Sequence, residues 1–212
     1  VPEAATGFPT VSKDGKTYTF TVKSGLKFSD GSAVTGAAFQ RAVFRVCHPD
    51  QGSPAVAFAG NFGNCAAFNE KKASSLTGIT AKGQQITFKL NQADPTFLSQ
   101  LPMPFFAAVK PNMAIDPKGI SVYPSAGPYK IVSRESGRSL VLERNTFYKG
   151  TRPANPDRIV VTTHGIIHDF HADGYRAGAT TLVVAGELGT SEGMALAEAA
   201  FGAWTSLPMH GA

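Results

Sequence analysis

The chain has 212 residues, of which 42% are hydrophobic, and a formal net charge of +5. This length and composition predict a globular protein of one large or two small domains. Lysine and arginine are scattered, with Lys71 and Lys72 as the only consecutive pair, so the continuous basic stripe of a nucleic-acid-binding protein is missing and no such partner is expected. No apolar run reaches the roughly 18 to 20 residues of a membrane-spanning helix.

The first patterned segment predicts a strand. Tyr18, Phe20 and Val22 alternate with polar residues, which is the two-residue period of a strand that buries one face. Gly25 ends this strand, and a turn follows before the first helix. The aromatic face of the strand is therefore predicted to belong to the core.

A helix is predicted from about Ala37 to Phe44, with Thr35 as its N-cap. The first turn begins at Gly36 and contains no acidic residue. A carboxylate there would interact favourably with the free N–H groups, so its absence is expected to weaken the helix terminus by up to about 1 kcal/mol.

Two cysteines, Cys47 and Cys65, bracket a segment rich in Gly, Pro, Ala and Asn. A disulfide commonly ties down such a segment in an oxidising compartment, and two free buried thiols are the alternative. The bridge would stabilise the fold by about 3 kcal/mol. Residues 47–77 are otherwise predicted to be irregular, because proline and glycine interrupt them repeatedly.

A hairpin is predicted from residues 78–81 and 85–90, which flank a short polar turn. After it, Asp94 is predicted to cap a short helix that begins at Pro95. Residues 104–111 are mostly apolar and are predicted to form a strand.

A second, buried hairpin is predicted further along the chain. Apolar runs at 129–132 and 140–142 flank a polar turn in which Gly137 can adopt a positive φ. Pro128 has no N–H for a sheet ladder, so the strand should begin directly after it. Tyr148 is expected to be structural, with its ring packed and its hydroxyl bonded to a polar partner.

Two blocks of the sequence carry a recognisable combination of residues. The first block contains Asp14, Gly15, Tyr18, Thr19, Phe20, Gly25, Lys27, Phe28, Asp30, Gly31 and Thr35. The second contains Gly127, Pro128, Tyr129, Arg144, Asn145, Tyr148, Gly150 and Pro153. In their order and spacing, both blocks resemble the extracytoplasmic solute-binding proteins of peptide and nickel ABC importers.

The resemblance implies an α/β fold with mixed helices and sheets, of the type II periplasmic-binding-protein kind. It covers about residues 8–203 and implies a partial first lobe, with the second lobe absent and the chain truncated. Residues 1–115 would form a smaller β-rich sub-domain, and 116–212 part of a core α/β sub-domain with a mixed sheet. Within the latter, the end of a helix followed by a short strand is expected in 175–184, and the alanine-rich stretch 195–204 predicts a helix.

The resemblance also implies a function: the substrate-binding component of an ABC importer, which captures oligopeptides or a similar small solute outside the cytoplasmic membrane. The implied ligand-binding residues are Phe105, Phe106, Ser125, Ala126 and Gly127. A place in the core is the alternative for both phenylalanines. The expected partners are the peptide or small-molecule solute and a membrane permease. The chain is expected to be a monomer without a cofactor, in the periplasm or anchored at the cell surface.

A histidine cluster favours a different function. His164, His168 and His171 have the spacing that places three imidazoles on one face of a helix, where they could bind zinc or nickel. The alternative function is therefore a metal-binding protein or metal-dependent hydrolase. A solvated linker is the other interpretation, because Gly165 and the isoleucines after it form a poor first helical turn. Ser125 and Ser136 lie in turns near glycine, where serines usually make hydrogen bonds to the backbone, and an enzyme is not predicted.

Overall fold

The computed structural model describes residues 3–162 and 190–201. The chain divides into two compact units, Val1–Thr162 and Thr163–Ala212, and each is described here by itself. The predicted histidine cluster, and the helix end and short strand expected in 175–184, lie outside the described residues. The sub-domain boundary between residues 115 and 116 stays a prediction.

Four antiparallel strands form the first sheet, in the order β1-β2-β4-β3. They are β1 (Thr10–Val11), β2 (Thr17–Thr21), β3 (Ile79–Lys82) and β4 (Gln85–Lys89). Tyr18 lies opposite Phe88, and both are buried because directly opposed residues of two paired strands face the same side of the sheet. The predicted strand and hairpin are thus confirmed, and Gly83 takes the positive φ of 57° in the hairpin turn.

Helix α1, Gly36–Cys47, packs against β3 and β4. Thr35 is its N-cap residue, as predicted, but the threonine side chain makes no capping hydrogen bond. The N–H of Gly36 instead donates to the carbonyl of Gly83 at 3.0 Å. A Cβ at position 36 would lie 2.3 Å from the carbonyl oxygen of Gln85. Glycine therefore stands here because the helix terminus and the hairpin approach closely.

The segment predicted to be irregular contains three short helical turns. They are a 3-10 helix at Pro49–Gln51, α2 at Val56–Ala59 and α3 at Cys65–Asn69. The prediction was wrong here because such short helices depend on tertiary packing more than on intrinsic propensity. The predicted disulfide is present: Cys47 and Cys65 are joined at an S–S distance of 2.03 Å, and both are fully buried.

Aromatic rings fill the core of the first unit around Phe62. The ring of Phe62 lies 5.5 Å from those of both Phe97 and Phe106, and Tyr18 lies 4.6 Å from Phe97. Several of these contacts are tilted or edge-on, which is the favoured geometry for aromatic pairs. Large rings from β2 and β4, from the segment that contains Phe62 and from the segments around Phe97 and Phe106 therefore converge on one cluster.

Two predictions after the first hairpin need correction. Helix α4 spans Phe97–Gln100 and so begins later than Pro95, because Asp94 accepts hydrogen bonds from the backbone and hydroxyl of Thr96 in a turn before the helix. The strand predicted at 104–111 is wrong, since Pro104–Phe106 form a 3-10 helix. Pro104 offers no N–H to a sheet ladder but is well suited to a first helical turn.

The second sheet has the strand order β5-β6-β7. Its strands are β5 (Tyr129–Glu135), β6 (Ser139–Arg144) and β7 (Arg158–Thr162). Gly137 has a φ of 73° in the predicted turn. The hairpin is less buried than predicted: Val132 is exposed, and Val141 is the one buried residue of β5 and β6. Both described sheets are purely antiparallel, so the mixed pairing expected for the core sheet is not found in this part of the chain.

In the second unit, the structure describes helix α5, Thr190–Phe201. The helix predicted at 195–204 is therefore present and begins earlier in the chain. Among the described helices, none combines the length and apolar character needed to cross a membrane.

Candidate ligand-binding groove

A groove with a volume of about 1140 Å³ lies on the first unit. Its walls come from the N-terminal segment, α1, the turn at 51–54, the segment 98–109 and the loops 117–127 and 148–152. All of the implied ligand-binding residues line it: Phe105, Phe106, Ser125, Ala126 and Gly127. The fold thus brings together two segments that the sequence keeps apart, and their role in binding stays a prediction.

The two phenylalanines occupy different environments although they are adjacent. Phe105 is 44% exposed and stacks on Phe58, with ring centroids 6.2 Å apart and an interplanar angle of 12°. Phe106 is only 4% exposed and belongs to the aromatic core. Both line the groove, so the ring of Phe105 is accessible from the groove, whereas Phe106 is held in the core.

A buried amide holds the loop that carries the second predicted segment. The side-chain N–H of Asn145 donates to the carbonyl of Gly127 at 2.8 Å, and Asn145 is 3% exposed. Ser29 donates its backbone N–H to the carbonyl of Ser125 at 2.8 Å, and its hydroxyl oxygen accepts from the Ser125 N–H at 3.2 Å. The sequence placed Asn145 in a shared motif without a role, and the structure shows that it fixes the groove wall.

This loop presents two hydrogen-bond donors. The backbone N–H groups of Ala126 and Gly127 have no acceptor among the described residues, and both residues line the groove while partly exposed. An N–H group without a protein partner takes one from water or from a ligand. The loop can therefore donate hydrogen bonds to a carbonyl oxygen in the groove.

Three side chains form a polar cluster at the rim of the groove. The Tyr148 hydroxyl donates to a Glu3 carboxylate oxygen at 2.6 Å, and the Arg152 guanidinium donates to the same carboxylate at 2.9 and 2.6 Å. Arg152, and then Tyr148, hold the pKa of Glu3 below its usual value. Burial, followed by the nearby Glu3 carboxylate, raises the pKa of Tyr148. The predicted polar partner of Tyr148 is thus Glu3, which no local signal in the sequence indicated.

Tyr148 also explains the glycine two residues after it. A Cβ at Gly150 would lie 2.1 Å from the Tyr148 hydroxyl oxygen, far inside the range of ordinary contacts. The Tyr-x-Gly pattern of the sequence therefore reflects the packing of a tyrosine against its own loop.

Arg45 is a third charged residue of the groove, besides Glu3 and Arg152. Its Nε donates to the carbonyl of Ala114 at 3.0 Å, and a further guanidinium N–H contacts the Met113 sulfur. It pairs with no carboxylate in the region that the structure describes. Within the described residues, the groove therefore contains a cation whose charge is not neutralised by a neighbouring acid.

No group of three histidine, cysteine, aspartate or glutamate side chains in residues 3–162 or the described part of α5 could hold a metal ion. The proposed metal ligands His164, His168 and His171 lie outside the described residues. The metal-binding alternative therefore stays a prediction.

The pattern of the Bacterial extracellular solute-binding proteins, family 5 Middle, matches residues 1–167 of the chain. The chain belongs to this family. The match includes every residue that lines the groove, and it confirms the resemblance found in the two sequence blocks. It starts at residue 1 rather than near 8, so the N-terminal segment belongs to the family region as well.

Individual members of the family support the same assignment. Dipeptide-binding protein DppE of Bacillus subtilis is 30% identical over 145 residues, which cover 65% of this chain and 26% of that protein. Nickel-binding protein NikA of Staphylococcus aureus is 34% identical over 87 residues, or 41% of this chain and 17% of that protein. The substrate-binding domain of an oligopeptide ABC transporter from Bacillus anthracis superposes with a TM-score of 0.62 and 26% identity, over 70% of this chain and 30% of that chain.

These alignments confirm the predicted fold class, an α/β fold of the type II periplasmic-binding-protein kind. The aligned part spans between about a sixth and a third of the length of those proteins. The residues that form the groove described above therefore correspond to only part of the length of these relatives.

Proposed function

We propose that this chain is part of the substrate-binding component of an ABC importer and that its groove receives an oligopeptide outside the cytoplasmic membrane. The observation that carries the proposal is the pair of N–H donors at Ala126 and Gly127, which have no acceptor within the described residues and lie on the same groove as the exposed ring of Phe105. Backbone donors bind the carbonyl groups common to all peptides, whereas an apolar wall binds side chains. The names of the relatives, a dipeptide-binding protein and an oligopeptide transporter, support the same solute class.

The charges in the groove fit a peptide better than an uncharged solute. A peptide carries a carboxylate at one end, and Arg45 offers a guanidinium that no acid neutralises in the described region. Arginine binds carboxylates with a planar, two-pronged geometry. We propose that Arg45 contributes to the attraction of this end of the solute.

We further propose a binding rather than an enzymatic role, a location outside the cytoplasm and a permease partner for the protein. Relatives named as binding proteins support a binding role rather than an enzymatic one. The buried Cys47–Cys65 disulfide is consistent with an oxidising location such as the periplasm or the cell surface. A membrane permease is the proposed protein partner, and we propose that the chain acts as a monomer.

Calorimetric titration of the 212-residue chain tests this function. Tetra-alanine should release heat on binding, whereas free alanine at the same concentration should not, because one amino acid cannot fill the groove and meet both N–H donors. A nickel–histidine complex serves as the third ligand. Binding of the nickel complex without any binding of tetra-alanine would overturn the peptide assignment, and equal binding of alanine and tetra-alanine would do the same.

A further inference from the structure

A small apolar pocket opens beside the groove. It has a volume of about 120 Å³, and every residue that lines it is Ala, Val, Leu, Ile or Phe. Its deep end consists of four buried residues: Val22, Val43, Ile86 and Phe88. This side pocket, as we call it below, lies between β2, β4 and α1 and is separate from the residues proposed above to bind the peptide backbone.

The mouth of the side pocket is part of the groove wall. Both cavities are lined by Ala4, Ala5, Phe20, Phe39, Leu101 and Phe106. All of these except Phe106 are partly exposed, whereas the four residues at the deep end are buried. A group that enters the side pocket therefore enters it from the groove.

The apolar lining of the side pocket determines which chemical groups can bind in it. A water molecule in a cavity needs two to four polar partners, and the side pocket offers no polar side chain. Apolar cavities of about 150 Å³ in other proteins bind benzene or xenon. A volume of about 120 Å³ matches the branched aliphatic groups of valine, leucine and isoleucine more closely than the larger indole ring.

We propose that the side pocket receives one branched aliphatic side chain of the peptide bound in the groove, and that it thereby sets a preference among peptides. This proposal rests on the proposed function for its ligand. The pocket itself follows from the small size of Ala4 and Ala5, whose side chains leave the space open.

Several hydrogen bonds hold the mouth of the side pocket in place. Ala5 forms an antiparallel bridge with Val22, and directly opposed residues of such a pair point to the same face. The backbone N–H of Lys23 donates to the Ala4 carbonyl at 2.8 Å, and the Lys23 ammonium donates to the Glu3 carbonyl at 2.8 Å. The pocket is therefore already formed before a ligand enters, which reduces the ordering cost of binding.

Ala5→Leu tests the proposal, because the new side chain shares the face of Val22 and fills the side pocket from its mouth. Ala66→Leu is the matched control, since Ala66 is exposed on α3 and lines neither cavity. The ligands are tri-alanine, the three tripeptides with a single leucine and the three with a single tryptophan. We expect one of the leucine peptides to bind at least about tenfold tighter than tri-alanine. None of the tryptophan peptides should show this gain in affinity. The gain should be lost in Ala5→Leu and kept in Ala66→Leu.

Xenon provides a readout that does not depend on peptide binding. Xenon NMR should detect binding to the wild-type chain and to Ala66→Leu, and no binding to Ala5→Leu. Absence of xenon binding to the wild-type chain would show that the side pocket is not present in the protein. Equal affinity for tri-alanine and the leucine tripeptides would contradict the proposal that the side pocket sets a preference among peptides, while leaving the proposed function intact. If xenon binds but no peptide does, both the proposed function and the peptide assignment of the pocket fail.

Discussion

The hydroxyl of Tyr148 donates a 2.6 Å hydrogen bond to the carboxylate of Glu3, a residue 145 positions earlier in the chain. The same hydroxyl accepts a hydrogen bond from the backbone N–H of Arg152 at 3.3 Å. One oxygen atom thus connects the N-terminal segment, which forms a wall of the groove and the mouth of the side pocket, to the loop after β6.

Removing this oxygen should loosen that connection. Tyr148→Phe is expected to lower the free energy of unfolding by about 1–2 kcal/mol, because a hydrogen bond to a partly buried charged group is lost. Urea unfolding measures the change. Tyr123→Phe is the control, since the Tyr123 hydroxyl has no hydrogen bond to any residue in the described region. Equal stability of the two variants would show that the Glu3–Tyr148 contact does not stabilise the fold.

The Cys47–Cys65 disulfide should contribute strongly to stability. Replacing both cysteines by alanine is expected to lower the free energy of unfolding by about 3 kcal/mol, because the bridge restricts the unfolded chain. Urea unfolding of wild type with and without reductant should show the same difference. A thiol assay on the unreduced, denatured protein should find no free thiol, and two free thiols would contradict the structure.

Gly36 should not tolerate a side chain. A Cβ there would lie 2.3 Å from the Gln85 carbonyl oxygen, so Gly36→Ala should force α1 away from the hairpin and cost about 1–3 kcal/mol. Gly60→Ala is the matched control, because Gly60 has a helical φ of −59° and a Cβ added to it would meet no atom within 4 Å. That change should be neutral or stabilising by up to about 1 kcal/mol. Thermal unfolding of both variants distinguishes a steric effect from a general effect of alanine.

The sequence predicted well those elements that depend on neighbouring residues. The alternation around Tyr18 and the turn glycines Gly83 and Gly137 are local signals, and the strands and hairpins they predicted are present. The strand expected at 104–111 failed because an apolar run does not distinguish a strand from a buried 3-10 turn, and only the packing of Phe106 against Phe62 determines the outcome.

The site was predicted less completely than the fold. The implied residues at 105–106 and 125–127 line one groove, but the sequence could not separate the exposed Phe105 from the buried Phe106. It also gave no sign of the side pocket, because that pocket depends on Ala5 lying opposite Val22. Contacts between residues far apart in the chain have no local signature that a single sequence can reveal.

Asp30 should make stability depend on pH in the acid range. Lys110, 2.8 Å away, and then Ser32 lower the pKa of Asp30 from its ordinary 3.8 to about 2. Because the folded-state pKa is the lower one, the stabilisation is present above about pH 5 and is lost as the pH falls towards 2. The side chain is 38% exposed, so the contribution is under about 1 kcal/mol.

Urea unfolding of wild type and Asp30→Asn between pH 7 and pH 2 measures this contribution. The two unfolding free energies should differ at pH 7 and converge near pH 2. Asp50→Asn is the control, since Asp50 forms its ion pair with Lys71 at the exposed surface, where such pairs contribute little. A constant difference between wild type and Asp30→Asn across this range would contradict the assignment.

Alanine substitutions of the adjacent residues Phe105 and Phe106 should have different effects, one on peptide affinity and the other on stability. Phe105→Ala is expected to weaken peptide binding about tenfold with little change in the unfolding temperature, because an exposed aromatic anchor is removed from the groove. Phe106→Ala should lower the free energy of unfolding by about 3–5 kcal/mol, because it leaves a cavity in the aromatic core. Phe147→Ala is the control: Phe147 is 38% exposed, like Phe105, but does not line the groove. If Phe105→Ala and Phe147→Ala retain the same peptide affinity in calorimetric titration, the ring of Phe105 is not part of the binding site.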